Sequence, residues 1–177
     1  MILESCKFNS KKRNKKAILS VGRLEEQKNY KFLIDEVKNT NFSIEIIGDG
    51  SLEETLMSYA KENGVDLKIL SKKNYLGLLE KYNDYQYFVL PSFYEGNPKV
   101  LIEAMSKGCI VLASNISNHT EIIKNNNNGI IFDLNKGSSI NHLWRHHSSF
   151  QISHLLGHGT DMFWSLFGSL WSCVYSS

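Results

Sequence analysis

The chain has 177 residues, 42% of them hydrophobic, and its 20 basic and 18 acidic side chains leave a formal net charge of +2. This length and balance predict one packed globular domain and argue against an intrinsically disordered chain. The three cysteines are odd in number and far apart, which argues against a disulfide framework and favours a reducing, cytoplasmic location. No signal-peptide pattern opens the chain, and no run approaches the roughly 20 apolar residues of a membrane span, so we expect at most peripheral membrane association.

The amino end of the chain is rich in basic residues, which crowd between Lys7 and Lys16. A local run of like charges is most often a solvated segment. We therefore interpret residues 1–16 as a basic linker, and we expect no nucleic-acid partner.

From Ala17 to Phe132 short apolar runs alternate with amphipathic stretches. Several runs are almost continuously apolar and β-branched, which is typical of parallel strands covered on both faces. The alternation predicts a doubly wound, Rossmann-like parallel α/β sheet over residues 17–136, with ligands bound outside the carboxyl ends of its strands. The predicted strands are Ala17–Val21, Ser43–Ile47, Leu67–Leu70, Tyr87–Leu90, Cys109–Ala113 and Gly129–Phe132. The predicted helices are Tyr30–Lys38, Leu52–Asn63, Tyr75–Tyr82, Pro98–Lys107 and His119–Asn125.

The loop after the first strand carries a glycine and two cations. Gly22 permits a close approach of the backbone to a ligand, and Arg23 and Lys28 follow it. Arginine offers a bidentate fork to phosphate oxygens and lysine a point charge, so together they suit a diphosphate. Two cations in a loop are also common as solvated surface charges. Their place at the end of a strand favours the phosphate interpretation.

The second strand ends in Gly48-Asp49-Gly50, which resembles half of a dinucleotide-binding fingerprint. The third glycine of that fingerprint is missing, since Glu53 stands in its place. No acidic ribose partner follows at the expected distance, which argues against an NAD site. The two glycines are equally compatible with a tight turn alone.

The most informative stretch runs from Pro91 to Met105. Asn97 is a good N-cap, and Pro98 suits the first position of a helix that Gly108 would end. A helix amino terminus at the end of a strand presents unpaired N–H groups and a positive dipole end, which favour an anion. We therefore predict an anion site at this helix start.

Two glutamates flank the same helix start. Glu95 precedes it. Glu103 lies on the side of the predicted helix opposite its apolar stripe, and is therefore expected to be free of the core; the stripe consists of Val100, Leu101, Ala104 and Met105. Carboxylates do not favour phosphate directly, but they accept hydrogen bonds from the neutral hydroxyls of a sugar and a ribose. The alternative is that Glu95 caps a turn and that Glu103 is solvated.

Taken together, these motifs resemble the carboxyl-terminal domain of the group 1 (family 4) glycosyltransferases over residues 17–132. The matching segments are Val21-Gly22-Arg23-Leu24, Gln27-Lys28-Asn29, Gly48-Asp49-Gly50, Pro91-Ser92, Glu95-Gly96-Asn97-Pro98, Glu103-Ala104-Met105, Gly108, Glu121-Ile122-Ile123 and Asn128-Gly129. The resemblance implies a GT-B architecture of two Rossmann-like domains, of which this would be the donor-binding one. It also implies metal-independent, retaining transfer of a hexose from a nucleotide diphosphate-sugar, such as a UDP-sugar, to a glycan or lipid-linked acceptor in cell-surface polysaccharide synthesis. No metal ligand and no cofactor besides this donor is expected.

The resemblance also implies roles for individual residues. Arg23 and Lys28 would neutralise the diphosphate and the charge that grows on the leaving group, which agrees with the chemistry of their loop. Glu95 would contact the donor sugar, and Glu103 the ribose hydroxyls. The remaining positions that it implies for donor binding are Gly22, Gly48, Leu70, Ser71, Gly96, Asn97, Pro98, Lys99 and Val100.

Two segments depart from the family pattern. The acceptor-binding amino-terminal domain has no counterpart, since Met1 falls near the interdomain linker, so we expect a separate domain as a partner. In place of the closing helices, residues 137–177 hold five of the six histidines and all three tryptophans. We predict that this tail is foreign, out of frame or disordered, and that the chain alone is inactive because it lacks the acceptor pocket.

Other functions stay open. One is a non-catalytic nucleotide-sugar-binding module or an inactive fragment. Another is a nucleotide-sugar epimerase of similar architecture, against which the two glutamates and the two cations argue together. A third is a zinc site in the tail, where His142/His146 and His154/His158 have the i, i+4 spacing. No cysteine or acidic cluster accompanies them, so structural or accidental histidines are favoured.

Overall fold

The computed structural model describes residues 13–124 and 128–136 of the chain. Within these ranges the strands form one six-stranded sheet in the order β3-β2-β1-β4-β5-β6, and every pairing is parallel. The sheet is therefore doubly wound, as the alternating pattern predicts. The strands are β1 (Asn14–Val21), β2 (Ser43–Ile47), β3 (Leu67–Leu70), β4 (Tyr85–Leu90), β5 (Ile110–Ser114) and β6 (Ile130–Phe132).

Helices alternate with these strands along the described part of the chain. The bounds of β2, β3 and α3 are as predicted, and the other elements begin or end up to three residues away. Differences of this size are usual at the ends of elements. The helices are α1 (Tyr30–Val37), α2 (Glu53–Glu62), α3 (Tyr75–Tyr82), α4 (Lys99–Ser106) and α5 (Ser117–Ile122), and a 3₁₀ turn spans Glu26–Lys28.

The core lies along the two central strands. β4 is buried over its whole length, and β1 is buried from Ala17 onward, which is the pattern of strands covered on both faces. The ring of Tyr82, at the end of α3, packs edge-on against Phe88 of β4 with 5.7 Å between ring centroids. Fully buried side chains of this kind each stabilise the fold by about 1.5–3 kcal/mol.

β1 begins earlier than its apolar run predicts, inside the segment interpreted as a linker. Next to its first residue, Arg13 donates hydrogen bonds to the Tyr85 carbonyl at 3.0 Å and to the Lys107 carbonyl. These bonds hold the start of β1 beside the start of β4. The remainder of the predicted linker, residues 1–12, lies outside the described residues.

Cys109, which directly precedes β5, is a small core residue. Its side chain is buried, and its Sγ lies 3.7 Å from the guanidinium of Arg13. Burial raises the pKa of the thiol to about 11, although the nearby Arg13 charge acts in the opposite direction. The thiol is therefore protonated at neutral pH.

α4 ends at Ser106, and Gly108 terminates it as the C′ residue, as predicted. The Gly108 N–H bonds to the Met105 carbonyl at 2.9 Å and the Cys109 N–H to the Ala104 carbonyl at 3.0 Å, the paired bonds of a Schellman motif. The φ of Gly108 is 75°, in the left-handed region that favours glycine. The predicted apolar stripe of α4 packs inward, with three buried members and one half-buried: Leu101, Ala104, Met105 and Val100.

Within the part of the chain that the structure describes, no helix is long and apolar enough to cross a membrane. The tail predicted to be foreign, residues 137–177, lies outside the described residues, and so do its histidine pairs.

Candidate functional site

The centre of the candidate site is the place where β1 and β4 lie side by side. The chain continues from β1 to β2 on one side and from β4 to β5 on the other, which makes this a topological switch point of the sheet. The loop after β1 and the loop after β4 are joined by two hydrogen bonds. The Phe93 N–H donates to the Gln27 carbonyl at 2.9 Å, and Gln27 Nε2 donates to the Tyr94 carbonyl at 2.8 Å. The two loops therefore form one continuous surface.

Two predicted glycines are needed here for close packing. A Cβ on Gly48 would lie 1.9 Å from the Gly22 carbonyl oxygen, so the loops after β1 and β2 pass too close for any side chain. A Cβ on Gly22 would lie 2.9 Å from both Lys28 Cε and the Tyr30 hydroxyl oxygen. Gly22 thus leaves the space that the Lys28 side chain crosses, whereas Gly48 is accounted for by loop packing alone.

Lys28 and Glu95 form an ion pair between the two loops. Lys28 Nζ lies 2.6 Å from Glu95 Oε1, and the side chains are only 13% and 7% exposed. The same oxygen accepts a hydrogen bond from Ser92 Oγ at 2.5 Å. The structure therefore brings together one predicted phosphate ligand and one predicted sugar ligand. It also contradicts the alternative in which Lys28 is a solvated surface charge.

Arg23 lies at the same end of the sheet but is placed differently. It follows Gly22, its side chain is exposed, and within residues 13–124 and 128–136 it has no hydrogen bond or ion pair. Its guanidinium can therefore reach a ligand without first breaking a contact to the described residues. Lys28, in contrast, must share or exchange its contact with Glu95.

The start of α4 differs from the prediction in detail. The helix begins at Lys99 with Pro98 in the cap position, and no side chain caps it, so the prediction that Asn97 is the N-cap is wrong. The reason is that Pro98 has a ψ of 60°, which keeps its backbone out of the helix. Asn97 is exposed, and the Gly96 carbonyl accepts a hydrogen bond from Asn118 Nδ2.

Glu103 is not free of the core, which corrects the prediction made from the helix pattern. Its side chain is half-buried, and Oε2 accepts a hydrogen bond from the Tyr82 hydroxyl at 3.2 Å. Burial raises the pKa of the Glu103 carboxyl, while the Tyr82 hydrogen bond and the Lys99 charge lower it. The pattern of α4 alone could not reveal this contact, because the partner comes from α3.

The remaining predicted positions are spread along the carboxyl ends of the strands. Leu70 is half-buried at the end of β3, where its carbonyl accepts the Gly48 N–H at 3.0 Å, and Ser71 after it is exposed. β3 is two strands from β1, so these residues lie farther from the Lys28–Glu95 pair along the sheet. Lys99 is exposed on the first turn of α4.

Three buried polar residues that were not predicted as site residues support the loop that carries Glu95. Ser114 Oγ donates to the Ser92 carbonyl at 2.5 Å, and His119 Nδ1 lies 2.9 Å from the Ser114 carbonyl oxygen. Ser92, Ser114 and His119 are all fully buried. Burial lowers the pKa of His119, with the Ser114 carbonyl opposing, which favours the neutral ring. The sequence signal was slight: Ser114 is the last residue of the apolar strand β5, and Ser92 follows the apolar strand β4 by two residues.

The chain matches the family model described as "Glycosyl transferases group 1" over residues 3–144. It is 32% identical over 121 residues to a capsular polysaccharide biosynthesis glycosyltransferase, CapH, of Staphylococcus aureus, covering 63% of this chain and 34% of CapH. It is 34% identical over 135 residues to the UDP-Gal:alpha-D-GlcNAc-diphosphoundecaprenol alpha-1,3-galactosyltransferase of Escherichia coli, covering 70% of this chain and 34% of that enzyme. The chain thus spans about a third of the length of these curated relatives.

Solved structures are similar over the same domain. The apo form of the lipopolysaccharide outer core galactosyltransferase WaaB matches with a TM-score of 0.64 and 28% identity, covering 78% of this chain and 40% of WaaB. The carboxyl-terminal domain of a group 1 glycosyl transferase, LpcC, from Francisella tularensis matches with a TM-score of 0.69 and 20% identity, covering 90% and 87% of the two chains. Anabaena HepE, solved with UDP and glucose, matches with a TM-score of 0.71 and 17% identity, covering 80% of this chain and 41% of HepE. The last two show the fold alone. Because the family model matches residues 3–144, which are most of the chain, this chain belongs to the group 1 glycosyl transferases.

Proposed function

We propose that this chain is the nucleotide-sugar-binding half of a retaining glycosyltransferase. It would help transfer a hexose from a nucleotide diphosphate-sugar to a glycan or lipid-linked acceptor in cell-surface polysaccharide synthesis. The observation that carries the proposal is the Lys28–Glu95 pair at the β1/β4 switch point, beside the start of α4. Ligands of open α/β sheets bind at such a point.

The diphosphate would be bound by Arg23, Lys28 and the backbone at the start of α4. Arg23 is exposed to solvent. The Lys28 side chain is only 13% exposed, so its charge is less hydrated than that of Arg23. The amino end of α4 adds the positive end of a helix dipole. The same charges would stabilise the nucleoside diphosphate leaving group as the bond between the anomeric carbon and the phosphate oxygen breaks and the bond to the acceptor forms. We propose that this transfer needs no metal ion.

Neutral hydroxyls would be bound by the two glutamates. Glu95 would accept hydrogen bonds from the donor sugar and Glu103 from the ribose, because an ionised carboxylate only accepts. Gly22, Gly96, Asn97, Lys99 and Val100 would approach the sugar and the phosphates. Leu70 and Ser71, at the end of β3, would lie near the base, while Gly48 and Pro98 would shape the loops.

The names of the relatives support the substrate class. The Escherichia coli relative is named for transfer from UDP-Gal to a diphosphoundecaprenol-linked sugar, and the Staphylococcus aureus relative for capsular polysaccharide synthesis. The acceptor would be bound by an amino-terminal domain. The relatives are long enough to contain such a domain, since this chain covers only 34% of the length of each. The alternative, a non-catalytic nucleotide-sugar-binding module, is less favoured because these relatives are named as transferases. It is distinguished by adding a matching acceptor-binding domain, which restores transfer only in the first case. A cytoplasmic location with at most peripheral membrane contact is proposed with this function.

The test is a thermal-shift and calorimetric screen of the full chain against UDP, GDP, ADP and their common sugar conjugates, with and without EDTA. We expect one nucleotide family to raise the midpoint temperature, unaffected by EDTA. Arg23→Ala and Lys28→Ala should each weaken binding by about 1.5–3 kcal/mol, since each removes a charge-assisted contact. Binding of no nucleotide, or wild-type affinity in both variants, would overturn the proposal.

A further inference from the structure

Glu95 and Glu103 each have one carboxylate oxygen that accepts a hydrogen bond from a buried hydroxyl of the protein. Ser92 Oγ donates to Glu95 Oε1 at 2.5 Å, and the Tyr82 hydroxyl donates to Glu103 Oε2 at 3.2 Å. Ser92 and Tyr82 are both fully buried and come from different parts of the fold, since Ser92 lies in the loop after β4 and Tyr82 is the last residue of α3. The same arrangement therefore occurs twice at one end of the sheet.

The other oxygen of each carboxylate accepts no hydrogen bond from the part of the chain that the structure describes. Among residues 13–124 and 128–136, Oε2 of Glu95 and Oε1 of Glu103 have no hydrogen-bond partner. Neither atom is one of the buried polar atoms that lack a partner, so both keep some contact with solvent. Each glutamate thus presents one accessible acceptor whose direction is fixed by a bond on the opposite oxygen.

We propose that Ser92 and Tyr82 are positioning residues of the donor site. Ser92 orients Glu95 toward the hydroxyls of the donor sugar, and Tyr82 orients Glu103 toward the hydroxyls of the ribose. This inference rests on the proposed function and adds to it the two residues that set selectivity for the two sugars. An acceptor that is already oriented loses less conformational entropy when a hydroxyl binds, so its contribution to affinity is larger.

Both hydroxyls are themselves held in place. The Ser92 carbonyl accepts the Ser114 hydroxyl at 2.5 Å, and Lys28 Nζ contacts the same Glu95 oxygen as Ser92, at 2.6 Å. The Tyr82 ring packs edge-on against Phe88 with 5.7 Å between centroids. The Tyr82 hydrogen bond also lowers the pKa of Glu103 against the effect of burial, so it favours the ionised form that accepts from hydroxyls.

The two positions differ in the ligand group that they should affect. Calorimetry on the full chain would use whichever of UDP, GDP or ADP binds most tightly, its 2′- and 3′-deoxy analogues, and UDP-glucose, GDP-mannose or ADP-glucose. Loss of one hydrogen bond to a carboxylate should lower the affected preference by about five- to tenfold. Ser92→Ala should lose the affinity that the sugar adds to the diphosphate. Tyr82→Phe should lose the preference for the ribose over its deoxy analogues.

Controls separate positioning from general damage. Ser20→Ala removes another buried hydroxyl, which donates to the Val89 carbonyl at 2.6 Å, and Tyr59→Phe removes another hydroxyl that donates to a carboxylate, Asp35, at 2.8 Å. Neither control should change either preference. Ser92→Thr keeps a hydroxyl and should keep the sugar preference. Glu103→Gln should lose the ribose preference, and it tests the same contact if Tyr82→Phe does not fold.

The outcomes distinguish the two proposals. If the wild-type chain binds no nucleotide, the proposed function fails and this inference fails with it. If the wild-type chain binds but Ser92→Ala and Tyr82→Phe weaken every ligand equally, or change nothing, only the positioning roles are overturned. Loss of the sugar preference in Ser92→Thr, or retention of the ribose preference in Glu103→Gln, would also overturn them.

Discussion

Replacing Lys28 with methionine should destabilise the chain even when no ligand is present. Methionine keeps most of the side chain that crosses Gly22 but removes the ammonium that lies 2.6 Å from Glu95 Oε1. Because the Glu95 side chain is only 7% exposed, water cannot fully replace the lost partner. Breaking such a contact leaves a nearly buried carboxylate with Ser92 as its remaining partner.

The magnitude follows from the burial of the pair. Exposed ion pairs contribute about 0–1 kcal/mol, and removal of one partner from a fully buried pair costs about 3–5 kcal/mol. Lys28 and Glu95 lie between these limits, and Ser92 keeps one hydrogen bond, so we expect about 2 kcal/mol for Lys28→Met. The Lys28→Met/Glu95→Gln double variant should cost about 1–2 kcal/mol less than the sum of the single variants, because the two side chains interact directly.

The assay is urea unfolding of the wild type, both single variants and the double variant, followed by nucleotide binding. The control cycle uses Lys81 and Glu45, whose Nζ–Oε1 distance is 3.1 Å outside the candidate site. Both cycles should show coupling in stability, but only the Lys28 cycle should change nucleotide affinity. A coupling energy of zero between Lys28 and Glu95 would refute the reasoning that the pair is a strong, dry contact.

Three further predictions concern the loops and the core. Gly48→Ala should lower the free energy of unfolding in urea by about 1–3 kcal/mol, because its Cβ would overlap the Gly22 carbonyl, whereas Gly96→Ala meets no atom within 4 Å; equal losses would contradict the loop packing. Burial lowers the pKa of His119, so the unfolded chain binds more protons below 6.5, and stability should fall as the pH drops below that value. His119→Gln should flatten this dependence, and an unchanged slope would count against it. With the other two cysteines replaced by serine, Cys109 should react with a thiol reagent at pH 8 only after unfolding, since its pKa is about 11; equal rates before and after unfolding would be unexpected.

The fold was readable from the sequence because each strand carries its own local signal. The runs at Ser43–Ile47 and Leu67–Leu70 are short and mostly isoleucine and leucine, and the structure places strands at the same bounds. The start of β1 was not readable, because Asn14 to Lys16 are polar. Asn14 pairs with Tyr85 of β4, and the neighbouring Arg13 donates to the Tyr85 carbonyl. No local sequence pattern indicates these long-range contacts.

The site was only partly readable, since its contacts join residues far apart in the chain. Lys28 and Glu95 are separated by 67 positions, yet both follow strands, so the rule that ligands bind at the carboxyl ends of parallel strands predicted one shared edge for both. Their direct ion pair was not predicted, because the two side chains were assigned to different parts of the ligand. The Tyr82–Glu103 contact could not be predicted, because it depends on how α3 and α4 pack. Asn97 has the composition of a cap, but the backbone angles of Pro98 delay the helix by one residue.

The most direct test of the donor-binding claim compares how tightly the chain binds UDP, UMP and uridine, or the equivalent series for the base that it prefers. If Arg23, Lys28 and the start of α4 bind a diphosphate, affinity should rise with each phosphate, and Arg23→Gln/Lys28→Met should abolish most of that rise. A series in which the nucleoside binds as tightly as the diphosphate, or in which the double variant keeps the full gain, would contradict the account.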